Sequence, residues 1–172
     1  MQALFQERRS MDKFQEIANQ LLVYKIRGAW FEIAKVYNEM ALQHGGTLSM
    51  AFILLAINDE FGSPVTKIAP RMGMEPNSLS RSLKALEKKG CVYKRKDKKD
   101  KRMTYICLTD HGRELRDVAL NAVFNLNKNF LEHIPEEKME VFFEVLEQIT
   151  PALKEFRKDA LEKEANATAA NF

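Results

Sequence analysis

The chain has 172 residues, 45% of them apolar and 30% charged, enough to bury a core without disulfides or metal staples. No window approaches 18 uncharged apolar residues, which excludes a transmembrane helix. The first residues carry no apolar signal core, so a cytoplasmic location is expected. The formal net charge is only +3, yet the nine residues Lys94–Arg102 carry +5, and that uneven placement is the informative part.

In chain order, apolar residues first recur at helical spacing from Met11 to His44: Phe14, Ile17, Leu21, Tyr24, then Trp30, Ile33, Ala34, Tyr37 and Ala41. One long helix is expected there, with Gly28 its soft spot and Gly45-Gly46 its end. A helix this long outruns a small core, so part of its apolar surface is expected to meet another chain. Thr47 or Ser49 caps a second helix to about Phe61, broken by Gly62-Ser63-Pro64. Thr66 opens a short helix, Lys67–Met72, closed by Gly73, with Pro70 placed within a turn of its start. Another helix starts at Pro76 and stops at Gly90. Two strand-like pieces, Cys91–Lys96 and Arg102–Leu108, flank the basic turn. Thr109 caps a long helix to about His133. Pro135-Glu136-Glu137 launches a last one, which Pro151 kinks or interrupts before it resumes to about Leu161. The 162–172 tail, rich in Ala and Asn, reads as a flexible end.

Short helices followed by a two-stranded hairpin are the order of a winged helix-turn-helix, in which the second helix of the turn enters the major groove. In the helix from Pro76 to Lys89, Leu79, Leu83 and Leu86 form a buried stripe, and Asn77, Arg81, Lys84 and Lys88 form the opposite one. Ser78 and Ser80 flank that polar stripe near the helix start. Asn and Arg can pair bidentately with adenine and guanine edges, while Ser and Lys favour phosphates. Such a stripe is equally what a solvated surface helix shows; the basic hairpin just downstream tips the reading toward DNA. Thr66, Arg95, Lys98 and Lys99 join the expected contact set, with Lys94, Lys96 and Lys101 adding general attraction for phosphate.

Ile68-Ala69, Met72-Gly73, Ser80-Arg81, Leu86-Glu87-Lys88-Lys89-Gly90, Asp100-Lys101-Arg102 and Leu108-Thr109-Asp110-His111-Gly112 occur in this order at compact spacing. That series resembles the multiple-antibiotic-resistance regulator (MarR) family of bacterial winged-helix transcription factors, most tightly over Val65–Leu115. The resemblance implies a mainly α fold with a small β-hairpin wing. By it, 1–45 forms an N-terminal dimerisation helix, 46–109 a DNA-binding lobe and 110–161 C-terminal dimerisation helices. It further implies that Arg102 is the wing arginine entering the minor groove, that Asp100 orients it, and that Arg81, Asn77 and Ser78 work at the major groove. Glu75 departs from the small residue usual before Pro76. It either caps the helix, the preferred reading, or accepts from a cytosine amino group. The family pattern also implies an effector pocket for a small anionic aromatic or acyl molecule, with Tyr24, Arg27, Trp30, Phe31, Tyr37 and Phe52 as candidates and Arg27 as counter-ion. Read residue by residue, those aromatics are more readily dimer core.

The function these features predict is a sequence-specific, DNA-binding repressor, homodimeric on a pseudo-palindromic operator and released by the effector. The rival is a winged helix that binds DNA or RNA without reading sequence, or binds a protein partner. An enzyme is not expected: His44, His111 and His133 are scattered, and no nucleophile setting or glycine-rich phosphate loop is present. Neither a metal nor a cofactor is expected, and the two cysteines belong to no C-x-x-C pair. A hairpin turning near Lys98-Lys99 would set Cys91 opposite Cys107. Two buried, reduced thiols are preferred over a redox switch, because directly opposed strand positions suit a disulfide poorly.

Overall fold

The computed structural model describes residues 14–15, 17–73, 75–97 and 100–169. Its elements run α1 (Leu22–Gln43), α2 (Leu48–Ala56), β1 (Ser63–Pro64), α3 (Val65–Met72), α4 (Pro76–Lys88), β2 (Val92–Lys96), β3 (Thr104–Leu108), α5 (Asp110–His133) and α6 (Glu136–Ala169). The chain divides into two units, Met1–Val123 and Phe124–Phe172, with α5 spanning the division.

The first unit is built on one apolar cluster. Met50, Ile53 and Leu54 of α2, with Ile57 just beyond it, Ile68 and Ala69 of α3, and Leu79, Leu83 and Leu86 of α4 pack with Cys91, Val92, Ile106 and Leu108 of the sheet. The leucine stripe of α4 is therefore its buried face, as its spacing predicts. Thr47 caps α2 by accepting from the Met50 N–H at 3.3 Å. The α2 helix stops at Ala56 rather than near Phe61. There Asn58 Oδ1 accepts from the Phe61 N–H at 2.8 Å and the Asn58 carbonyl accepts from Gly62, a local turn that outcompetes another helical turn.

The sheet has three antiparallel strands in the order β1-β3-β2, not the two expected. Two residues, one of them proline, carry no strand signal, yet Ser63 pairs with Ile106 and Pro64 with Tyr105. In the hairpin, Val92 pairs with Leu108 and Lys96 with Thr104. The turn is therefore centred on Asp100, between one and two residues beyond a Lys98-Lys99 turn. Cys107 faces Tyr93, and Cys91 lies just before β2, so the two thiols are not opposed. Both are free and buried. Burial pushes the Cys91 thiol up, with Lys89 pulling weakly the other way, which disfavours the reactive thiolate.

Further differences concern helix ends. The N-terminal helix is not continuous: a turn at Asn19–Leu21 interrupts it, with Gln20 and Leu21 bonding three residues back, and α1 then runs through Gly28 unbroken. The turn brings the Phe14 ring edge-on to Tyr24 at 5.7 Å, whereas in a straight helix they would lie about 15 Å apart along the axis. The expected start at Met11 lies outside the described residues. Helix α3 begins at Val65, so Pro70 is its sixth residue and leaves the Thr66 carbonyl without its helical donor. Glu75 stands at the N-cap of α4 but its side chain makes no capping bond. A glutamate is one methylene longer than the residues whose oxygens bend back onto the first free N–H groups.

Thr109 joins the wing to α5. Its hydroxyl donates to the Gly90 carbonyl at 2.6 Å and accepts from the Gly112 N–H at 3.0 Å, and its own N–H donates to Cys91 O. Gly112 is buried against the same segment. In the second unit, α6 runs uninterrupted through Pro151, and its helical backbone extends beyond Leu161 to Ala169. Phe124, Phe142, Phe143, Leu153 and Phe156 are exposed there. Among the described residues no helix is long and apolar enough to cross a membrane, and no group of His, Cys, Asp and Glu is placed to hold a metal ion.

Candidate nucleic-acid interface

Because Leu79, Leu83 and Leu86 are anchored in the core, the opposite face of α4 is forced outward. Asn77, Ser80, Arg81, Lys84 and Lys88 are exposed, and Ser78 is half-buried beside them. A cleft of about 650 Å³ opens between α3, α4 and β2, lined by Thr66, Glu75, Ser80, Lys84 and Lys94 among others. Thr66 and the serine–lysine flank of α4 thus meet one space, and Glu75 lines it as well.

At the root of the wing, α4 ends at Lys88 with Lys89 as its C-cap, and Gly90 takes a left-handed conformation (φ 70°) that only glycine adopts at little cost. The Cys91 N–H returns to the Leu86 carbonyl at 2.9 Å, fixing where β2 departs. Further out, aspartates organise the turn. Asp97 Oδ1 accepts from the Asp100 N–H at 2.8 Å, and Asp100 Oδ1 accepts from the Arg102 N–H at 2.9 Å. The Asp100 carbonyl accepts from Met103, and the Met103 carbonyl from Asp97. Asp100 therefore positions Arg102 through the main chain, leaving the exposed Arg102 side chain at the wing's tip. Lys98 and Lys99 lie outside the described residues.

The remaining cations of the run divide by strand alternation. Lys94 Nζ is 2.6 Å from Glu87 Oε2 on α4, and Lys96 Nζ donates to Thr104 Oγ1 at 3.0 Å. Arg95 faces the other way: it donates to the Phe61 carbonyl at 2.7 Å, with its guanidinium 5.5 Å from the Tyr105 ring centroid. Arg95 is thus held against the outer side of the sheet, back from the wing tip. The Lys94–Glu87 pair has no expectation behind it in the sequence. Its signal was the spacing of Glu87, three residues past Lys84 on the polar face.

Of the effector candidates, Trp30, Tyr37 and Phe52 come together. Phe52 stacks on Trp30 at 6.1 Å and meets Tyr37 edge-on at 6.0 Å. Burial pushes the Tyr37 hydroxyl up from its ordinary value. Tyr24 packs on Phe14 instead, and Phe31 is 66% exposed. Arg27 lies on α1, one helical turn from Trp30.

A buried leucine stripe, an outward polar recognition face and a cationic wing on one lobe define a winged helix-turn-helix protein. Residues 47–104, the span of α2 to the wing, match the MarR family model. It is 31% identical over 97 residues to the HTH-type transcriptional regulator SarZ of Staphylococcus epidermidis, covering 55% of this chain and 66% of SarZ. The matched segment thus spans just under two thirds of that relative's length. Among solved structures, the S. aureus MepR–DNA complex superposes with a TM-score of 0.70 at 21% identity, covering 77% of this chain and 98% of MepR. CouR from Rhodococcus jostii RHA1, bound to p-coumaroyl-CoA, gives 0.67 at 22% identity, covering 77% of this chain and 93% of CouR. At these identities the two structures establish the fold.

Proposed function

We propose that this protein is a cytoplasmic transcriptional regulator, a repressor that binds a pseudo-palindromic operator as a homodimer. The observation that carries the reading is the pairing on one lobe of the outward Asn77–Arg81–Lys84–Lys88 face of α4 with a wing whose turn is organised around Arg102. Two copies would set their α4 helices in successive major grooves, about 34 Å apart, with Arg102 in the flanking minor grooves. Exposed Ile17, Leu22, Val23 and Phe31 near the N-terminus, and Phe124, Phe142 and Phe156 in the second unit, support self-association, since a monomer rarely leaves so many large apolar side chains in water.

Selection from random duplex DNA tests this. The wild type should enrich a palindrome, and Asn77→Ala should relax base preference within each half-site more than it weakens binding to scrambled DNA. Failure to enrich any sequence would favour a winged helix that binds nucleic acid without reading it.

The proposal extends to release by a small anionic aromatic or acyl effector, held at the Trp30–Tyr37–Phe52 cluster with Arg27 as counter-ion. The ring cluster supports this, as does the acyl-thioester bound by CouR. Binding would shift the population between dimers whose recognition helices do and do not match the groove spacing. Phenolic and fatty carboxylates should then raise the thermal unfolding midpoint, an increase that Trp30→Ala and Arg27→Ala reduce. No increase across both series would remove the effector from the mechanism.

A further inference from the structure

We propose that Glu87 and Lys94 are a positioning pair, locking the wing to the recognition helix so that α4 and Arg102 engage DNA as one body. The inference rests on the operator-binding reading above and assigns a task within it. Glu87 is the only acid in α4, and it lies three and seven residues beyond Lys84 and Ser80, on the side that faces the cleft. A carboxylate so placed repels a polyanion, so simple Coulomb reasoning says its loss should tighten DNA binding. Its partner distance says otherwise. Lys94 Nζ sits 2.6 Å from Oε2, with the two side chains 48% and 41% exposed. A pair this open to solvent contributes little to global stability.

Its contribution is geometric. Among the described residues it is the one side-chain bond between α4 and the wing strands. Below it, the Gly90 turn and the buried Cys91 and Val92 fix the root of the hairpin, while β1 pairing with β3 and the Arg95 bond to the Phe61 carbonyl hold it from the side away from Lys94. Above it, the polar side chain of Lys96 bonds across to Thr104 within the hairpin itself and gives no hold on α4. The ties to β1 and Phe61 hold the hairpin to the segment before α3, not to the recognition helix, so the wing can still shift relative to α4, and displacement grows toward the tip where Arg102 sits. Lys94 catches the strand two residues, roughly 7 Å, before its outer end. The pair also neutralises the one anion of α4 without using a cation from the wing tip.

The two accounts of Glu87 predict opposite signs, which makes the test direct. Wild type and Glu87→Gln are titrated against the duplex that the wild type enriches from random DNA and against a scrambled duplex of the same composition. If the pair positions the wing, Glu87→Gln weakens operator binding about tenfold while scrambled-duplex binding stays level or tightens. The double variant Glu87→Lys with Lys94→Glu, which reverses the pair at constant net charge, should recover most of the operator affinity. Parallel tightening on both duplexes would overturn the proposal, because it is what loss of a negative charge does alone. Backbone hydrogen exchange judges the pair without DNA. In Glu87→Gln, amides of 92–104 should exchange faster while those of the core helices do not, and unchanged exchange in the wing overturns the proposal as well. If the wild type enriches no sequence, the operator reading is what has failed, and the exchange result still decides the fate of the pair.

Discussion

Replacing Gly112 by alanine should lower stability by about 3 kcal/mol or more, a drop in the unfolding midpoint of roughly 10 °C. A Cβ built on Gly112 falls onto the carbonyl oxygen of Cys91, and its next neighbours are also main-chain atoms of Cys91. No side chain can rotate away to make room. The overlap must be relieved by moving the start of α5 off the sheet, and that movement breaks a compact set of bonds. The Cys91 carbonyl accepts from the Thr109 N–H, while the Thr109 hydroxyl bridges Gly90 and Gly112. Differential scanning calorimetry checks the midpoint, and circular dichroism checks whether the variant folds at all. An unchanged midpoint would mean that α5 does not enter where this geometry has it.

Arg102→Ala should weaken operator binding about ten- to hundredfold while leaving folding and self-association intact. The side chain is exposed and its backbone is held by the Asp100 carboxylate, so truncation removes a cation without disturbing the turn. Two controls separate its roles. The salt dependence of binding should fall by about one counterion per protomer, because one phosphate-facing cation is gone. Arg102→Lys should restore that slope but not the full affinity, because the planar guanidinium, rather than the charge alone, fits a narrow groove. Fluorescence anisotropy across a salt series reads all three variants. Wild-type affinity in Arg102→Ala would move the minor-groove contact elsewhere.

What could be read in advance followed the strength of local patterns. Leu79, Leu83 and Leu86 repeat at helical spacing and are indeed buried, so the outward face of α4 followed at once. Thr47 and Thr109 are good caps whose hydroxyls act locally, and both cap as expected. The hairpin register was harder. Beyond the buried Val92, the strand residues Tyr93, Lys94, Arg95 and Lys96 are all exposed, so no alternation of apolar residues pins the pairing. The side chains of Asp97 and Asp100 set the turn instead, and composition does not say which N–H each will accept from. Strand β1 could not be found because two residues have no period, and it exists only because β3 offers it a partner. Arg95 looked like one more phosphate ligand within a basic run. Only the alternation of β2 shows it turned toward Phe61 and Tyr105, away from the Lys94 side.

The order β1-β3-β2 leaves the sheet with two open borders, and each is closed to strand addition in its own way. On one side β1 is only two residues long, and Pro64 has no N–H to offer an incoming chain. On the other, β2 is crowded with Lys94, Arg95 and Lys96, so a second wing approaching edge to edge meets like charge. If the wing binds nucleic acid as proposed, the cations that draw it there also keep it from aggregating with itself when none is bound. Solubility and affinity are then coupled, and neutralising the wing to weaken DNA binding will also expose a sticky edge.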